Sequence, residues 1–195
     1  MPKRDGYRCW LSETEVTILV NHSSEEPQKR LALELMLDGL RSEEVPRVTK
    51  QDFRRLDADE EAYKLRIHES KTGYRESPVA NETKQRAVML ANARGLRQSE
   101  PLVDVTDRTI QRWVTSAAEN IAEETVDDDW HHVSAHDLRR TWATTTYYSL
   151  HASDVAKSLV MRWGGWSDED TFANNYLGRE PDALAAEMMV EAGLR

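Results

Sequence analysis

The sequence holds a single cysteine, Cys9, in 195 residues, which excludes an internal disulfide framework and any cysteine-rich zinc site. No run of about 18 apolar residues occurs, so no membrane span is expected. The opening MPKRDGYRCW is basic but lacks an apolar core, so it does not read as a secretory signal, and a cytoplasmic location is expected. No internal repeat, low-complexity linker or phosphate-cradling glycine loop stands out. Strands do not alternate with helices, which excludes a Rossmann-like arrangement. Lysine is scarce, at 7 of the 26 basic residues.

Charge is plentiful instead. Charged residues make up 31% of the chain and apolar ones 39%, with a net charge of -9. Taken whole, that balance argues against nucleic acid as a partner. Its distribution is uneven. Residues 41–97 carry 13 basic against 10 acidic side chains, while residues 98–135 carry 2 against 9. An acid-rich, lysine-poor surface fits adaptation to high salt, and it equally fits a GC-rich coding sequence.

The periodicities describe a mainly helical (α+β) domain with one small antiparallel meander. Ser12 and Glu15 form a capping box ahead of a short helix. In EEPQKRLALELMLDGL, Pro27 opens a helix whose Leu31, Leu35, Met36 and Leu40 share a face, and Gly39 breaks it. SEEVPRV reads as one further turn, ended by Pro46. AYKLRIHES, KTGYR and ESPVA read as the meander, turning at Lys71-Thr72-Gly73. Helical patterns follow at 81–93, 106–123, 137–150, 153–162, 170–176 and 182–193, with ETVDDDWHH as an acidic exposed loop. The length suits one domain over residues 1–195.

Several short stretches carry chemistry-bearing residues, and each has an ordinary reading too. His132 and His136 stand at metal-binding spacing, but no glutamate follows His132, and an exposed loop explains them as well. His136 and Arg139 share the first turn of a helix, where N–H groups and the dipole favour a phosphate; alone, they are an exposed helix end. Arg41 follows a helix-ending Gly-Leu. Lys71 sits at a hairpin tip. Trp166 follows two glycines and Tyr176 ends a short helix, as two core aromatics would.

The order Arg41, Lys71, His136, Arg139, Trp166, Tyr176 resembles that of the tyrosine recombinase (phage integrase) family. GLRSEEV is similar to its first-arginine box, SKTGYRESPV to its lysine hairpin, HDLRRTWAT to its His-x-x-Arg box and WGGWSDEDTFANNY to its tyrosine box. The resemblance runs over residues 39–178. Trp166 stands where a second histidine is commoner. Four residues separate Thr171 from Tyr176, against three in the family pattern, which would fall on Asn175.

The resemblance implies a site-specific strand transferase acting on double-stranded DNA. Tyr176 would attack a phosphodiester, leaving a 3′-phosphotyrosyl link and a free 5′-hydroxyl. Arg41 and Arg139 would clamp the phosphate, His136 and Trp166 would add donors, and Lys71 would protonate the leaving oxygen. No metal and no cofactor is implied. Arg108 and Arg112, on a helix the family sends into a DNA groove, are the expected DNA readers. The family also implies self-assembly on DNA, dimer to tetramer, in which a tail such as residues 179–195 docks on a neighbour; the alternative is a helix folded on its own core. No separate N-terminal DNA-clamping domain precedes Arg41, as in a fragment or a minimal enzyme. The other readings are a type IB topoisomerase-like nicking-closing enzyme and a non-catalytic DNA-binding or assembly regulator.

Overall fold

A computed structural model of the chain describes residues 2–3, 6–70, 73–151 and 153–194. A short hairpin, β1 (Pro2–Lys3) and β2 (Gly6–Tyr7), leads into α1 (Glu13–His22) and α2 (Pro27–Leu37). A three-stranded sheet follows, of β3 (Phe53–Arg55), β4 (Tyr63–Ile67) and β5 (Arg75–Val79). Six α-helices complete the described chain: α3 (Asn81–Ala93), α4 (Asp107–Thr125), α5 (Ala135–Ser149), α6 (Ala156–Gly164), α7 (Glu169–Asn175) and α8 (Asp182–Glu191).

The Ser12–Glu15 capping box starts α1, and Pro27 stands at the first position of α2. Leu31, Leu35, Met36 and Leu40 are fully buried, each contributing about 1.5–3 kcal/mol of burial energy. This stripe makes α2 the hub on which α1, α3, α4 and α5 pack. A smaller aromatic cluster, Trp142, Trp166 and Phe172 with Tyr147 and Tyr176 at its edge, joins α5, α6 and α7.

Three local readings need correction. The sheet is β3-β4-β5, antiparallel throughout, so its first strand is Phe53–Arg55; of KTGYR only Arg75 belongs to a strand among the described residues, and the expected turn residues Lys71 and Thr72 lie outside them. Arginine-rich Phe53–Arg55 lacks the apolar alternation that marks a strand; its pairing with Tyr63–Leu65 makes it one. Pro46 lies within a 3₁₀ turn, Val45–Arg47, and does not end it, because a proline near a helix start sacrifices no needed N–H. The stretch read as an exposed acidic loop contains a 3₁₀ helix, Asp128–His132, because Trp130 buries itself in the core and pulls the chain inward.

Strand β5 alternates strictly: Arg75, Ser77 and Val79 face inward. It is an edge strand, which accommodates Pro78. The inward-facing Ser77 hydroxyl donates to the Asp38 carbonyl at 2.7 Å, tying the sheet to the end of α2. The Asp38 carboxylate accepts the Ala80 N–H through Oδ1 at 3.2 Å, while its Oδ2 is buried without a partner among the described residues. Burial pushes this carboxyl up to about 7, against the opposing hydrogen bond from Ala80. The folded chain therefore holds a proton that the unfolded chain has already released, and stability falls as pH rises from about 4 through 7. Asp38→Asn is expected to raise the melting temperature by about 3 °C at pH 8 and to change it little at pH 4, by calorimetry. Equal shifts at both pH values would contradict this account.

Candidate active site

Helix α5 begins with a capping box. Ser134 and Asp137 bond reciprocally, the Ser134 N–H and hydroxyl reaching Asp137 Oδ2 at 2.9 and 2.6 Å. That cap sets His136 in the first turn and Arg139 one turn on, pointing inward. His136 Nε2 lies 2.9 Å from the Tyr176 hydroxyl. Desolvation of the imidazole, reinforced by the charges of Arg140 and Arg139, draws its pKa down to about 4.

A second construction lies at the end of α2. Gly39, at φ +93°, turns the chain where a β-carbon would strike the Trp142 ring at 2.7 Å. The turn aims the Gly39 carbonyl inward and sends Arg41 and Glu44 to the same spot. Glu44 accepts the Arg41 N–H at 2.8 Å and the Arg41 guanidinium at 2.9 Å. Arg75, inward on β5, donates to Glu44 at 2.5 Å, to the Gly39 carbonyl at 3.1 Å and to the Trp163 carbonyl. Burial pushes the Glu44 carboxyl up, but the charge of Arg75, the Arg41 N–H and the charges of Arg139 and Arg41 outweigh it, so the group stays ionised.

Arg139 is the largest fully buried side chain described. Its two terminal nitrogens donate to the Gly39 and Gly164 carbonyls. No carboxylate forms an ion pair with it among the described residues. Its Nε is buried and unpartnered. Burial, then the charges of Arg75 and Arg41, oppose its own charge. Three guanidinium groups thus surround one carboxylate, leaving positive charge in excess. An anion entering here would be strongly favoured.

The aromatic wall completes the site. Helix α6 ends in a Schellman-type stop, with Gly165 at φ +68° and the Trp166 N–H bonded to the Met161 carbonyl at 2.8 Å. Gly164 carries no β-carbon because the Trp166 ring occupies that space. The Trp166 ring lies 4.3 Å from the Arg139 guanidinium carbon and 4.4 Å from the Tyr176 ring. Asp168 caps α7, accepting the Thr171 N–H at 2.6 Å, and Tyr176 stands at that helix's end. Arg41, His136, Arg139, Trp166 and Tyr176 all line one cavity of about 720 Å³.

No family model and no curated protein matches the chain in sequence. Solved structures do. The XerA recombinase superposes with a TM-score of 0.70 at 18% identity, over 98% of this chain and 66% of that one. The XerH site-specific recombinase bound to palindromic difH substrate gives 0.64 at 17%, over 94% and 52%. A lambda integrase dimer bound to a COC′ core site gives 0.59 at 20%, over 92% and 51%. The fold is that of the tyrosine recombinase catalytic domain. The chain spans about half to two thirds of the length of these three proteins.

Within this recombinase fold, five of the six residues singled out from the motifs meet at the cavity. The sixth, Lys71, lies outside the described residues. Arg108 and Arg112 do not line the cavity. They are exposed on α4, each next in sequence to a lining residue, Asp107 or Gln111. His132 stacks on Tyr7 at 3.8 Å while His136 faces Tyr176, so the two histidines serve different partners.

Two residues central to the cluster were not singled out. Glu44 lies inside the first-arginine box, and its spacing from Arg41 is its signal. Arg75 announces itself only through strand alternation, as a charged residue at an inward position. Arg75→Leu is expected to cost about 3 kcal/mol in urea unfolding, because it strips Glu44 of a buried partner. A cost under about 1 kcal/mol would place the pair among surface ion pairs.

The low pKa of His136 has a definite sign. The unfolded chain takes up a proton near pH 6.5, the folded chain only near 4. Its contribution to stability is therefore complete above pH 6.5 and lost as pH falls toward 4. An NMR titration is expected to find the His136 midpoint near 4; a midpoint near 6.5 would remove the argument.

Proposed function

We propose that this chain is a DNA strand transferase that cleaves and rejoins duplex DNA through a 3′-phosphotyrosyl intermediate on Tyr176. The observation that carries this reading is the excess of positive charge at buried Arg139 and half-buried Arg41, opening onto a phenol hydrogen-bonded to a neutral imidazole. Such a site suits a phosphodiester and a nucleophile that must lose a proton near neutral pH.

In the proposed reaction, Tyr176 Oη attacks phosphorus while its proton passes to His136 Nε2. The bond from phosphorus to the 5′-oxygen breaks, and Lys71 gives that oxygen a proton. Arg41 and Arg139 stabilise the charge on the non-bridging oxygens. Two of the five guanidinium N–H groups of Arg139 are spent on carbonyls, which leaves others for phosphate. The buried, unpartnered Trp166 Nε1 adds a further donor beside Tyr176. Attack by another 5′-hydroxyl reverses the sequence, so ligation needs no outside energy source. Arg108 and Arg112 would follow the duplex along α4, supported by their exposure beside the cavity rim. The XerH and lambda integrase structures hold DNA, which lends the reading weight.

Assembly on DNA belongs to the same proposal. Helix α8 buries none of its residues, and Met188, Met189 and Val190 are exposed. That surface suits a neighbouring protomer better than a helix folded fully onto its own core.

A denaturing-gel adduct assay tests the chemistry. Wild type and Tyr176→Phe are mixed with DNA flanking the native gene, across a salt series, with and without chelator. A covalent band is expected in wild type alone, unchanged by chelator. An adduct in Tyr176→Phe would move the nucleophile elsewhere. DNA binding by both proteins without any adduct would favour the regulator, and relaxed circles without exchanged flanks the topoisomerase-like activity.

A further inference from the structure

The segment that carries Tyr176 is held from behind through nearly every main-chain carbonyl it offers. Arg8 donates to the Asn174 carbonyl and, at 2.5 Å, to the Asn175 side chain. Arg140 Nε donates to the Asn175 carbonyl at 3.0 Å. The Tyr176 carbonyl accepts from two sides: Trp10 Nε1 at 2.9 Å and the Thr144 hydroxyl at 2.9 Å. The Thr144 hydroxyl in turn accepts the Gly178 N–H at 2.8 Å, and the Tyr148 hydroxyl reaches the Gly178 carbonyl at 3.3 Å.

The donors come from two sources. Arg140, Thr144 and Tyr148 stand four apart on α5 and form one stripe. Arg8 and Trp10 belong to the extended strap before α1. The neighbouring α5 stripe holds that strap: the Cys9 N–H donates to Asp137 at 3.1 Å and the Leu11 N–H to Thr141 at 2.9 Å. Leu11 is buried, which seats the strap. The Trp10 ring covers Gly178 so closely that a β-carbon there would lie 3.0 Å away. The strap and the tyrosine segment are thus two cords tied to one helix and joined to each other at Arg8 and Trp10.

From this we infer that Trp10 and Thr144 are positioning residues for the nucleophile, resting on the reading of Tyr176 as the attacking group. Neither touches the phenol. Together they fix the carbonyl of the residue that bears it, and so fix the direction from which Oη meets His136 and the phosphorus. A nucleophile displaced by an ångström loses most of its advantage. The strap reaches the tyrosine segment at Arg8 and Trp10, and the Trp10 indole N–H is its bond to Tyr176 itself.

The test uses Trp10→Phe, Thr144→Val, the double variant and Tyr176→Phe. The probe is a set of duplexes of randomised sequence around one 5′-bridging phosphorothiolate, whose thiolate leaves without a proton. Adduct formation is timed at saturating DNA, affinity is measured separately, and amide hydrogen exchange at residues 176–178 is followed without DNA. Each single variant is expected to slow adduct formation by roughly ten- to a hundred-fold. Affinity stays unchanged, the double variant falls short of the product of the two losses, and exchange at 176–178 speeds by about tenfold. Because the leaving group needs no acid, such a loss belongs to the nucleophile. Wild-type rates and exchange in both single variants would overturn the proposal, as would rate losses fully matched by lost affinity or by global unfolding. An adduct persisting in Tyr176→Phe would instead sink the nucleophile assignment, and the positioning role with it. Thr144→Val meets the same carbonyl without disturbing the strap, so the test survives a Trp10 variant that folds poorly.

Discussion

Glu44 is almost wholly shut off from solvent, and three guanidinium groups converge around it. Its own ion pairs run to Arg41, just past α2, and to Arg75, from the sheet. The third, Arg139 from α5, shares the Gly39 carbonyl with Arg75. One carboxylate and one carbonyl therefore lock together three parts of the chain far apart in sequence. Removing a charge from water costs several kcal/mol, and a lone pair of charges rarely recovers it. Here the carboxylate is paired twice over, so its side of the account closes. That of Arg139 does not, since carbonyl dipoles replace the counter-ion. The unbalanced charge sits at the floor of the cavity, under the Tyr176 and Trp166 rings.

Helix α5 distributes what this cluster anchors. Its capped first turn presents His136 to the phenol, its inward stripe buries Arg139 and Trp142, and two further stripes hold the strap and the tyrosine segment. A helix suits this task because side chains three and four apart lie side by side at fixed spacing. Four jobs with four different partners fit on fewer than four turns. The cost is a helix rich in threonine and aromatic residues, of modest intrinsic propensity, that depends on its neighbours for stability.

Much of this was legible in the residues. The apolar stripe of α2, the capping box at Ser12 and the small antiparallel meander follow from local pattern. Arg41, His136, Arg139, Trp166 and Tyr176 could be ordered along the chain through the resemblance of four short boxes, although no single box distinguished a site from a surface. What stayed hidden was set by tertiary contact. Phe53–Arg55 becomes a strand only because Tyr63–Leu65 pairs with it. The acidic stretch around Trp130 folds inward because one indole outweighs three exposed aspartates. Trp10 gives no sign in its own neighbourhood, since its partner lies 166 residues away. Composition is blind to placement: a net charge of -9 sums the whole chain, while the positive charge of Arg139 and Arg41 is gathered at one cavity.

The tryptophan at position 166 would change how the proposed reaction manages protons. An imidazole there would supply a second group able to take or give a proton near neutral pH. An indole can only donate, and it does not titrate. What it adds is shape: its ring backs the phenol, stacks over Arg139 and fills the space that Gly164 leaves open. In the proposed reaction, proton handling at Tyr176 would fall to His136 among the described residues around the phenol. The desolvation that keeps His136 unprotonated comes from the same enclosure that the indole helps to build. Trp166 would thus act on the proposed chemistry through the medium it creates, lowering the local dielectric around a phenol, an imidazole and an excess of positive charge.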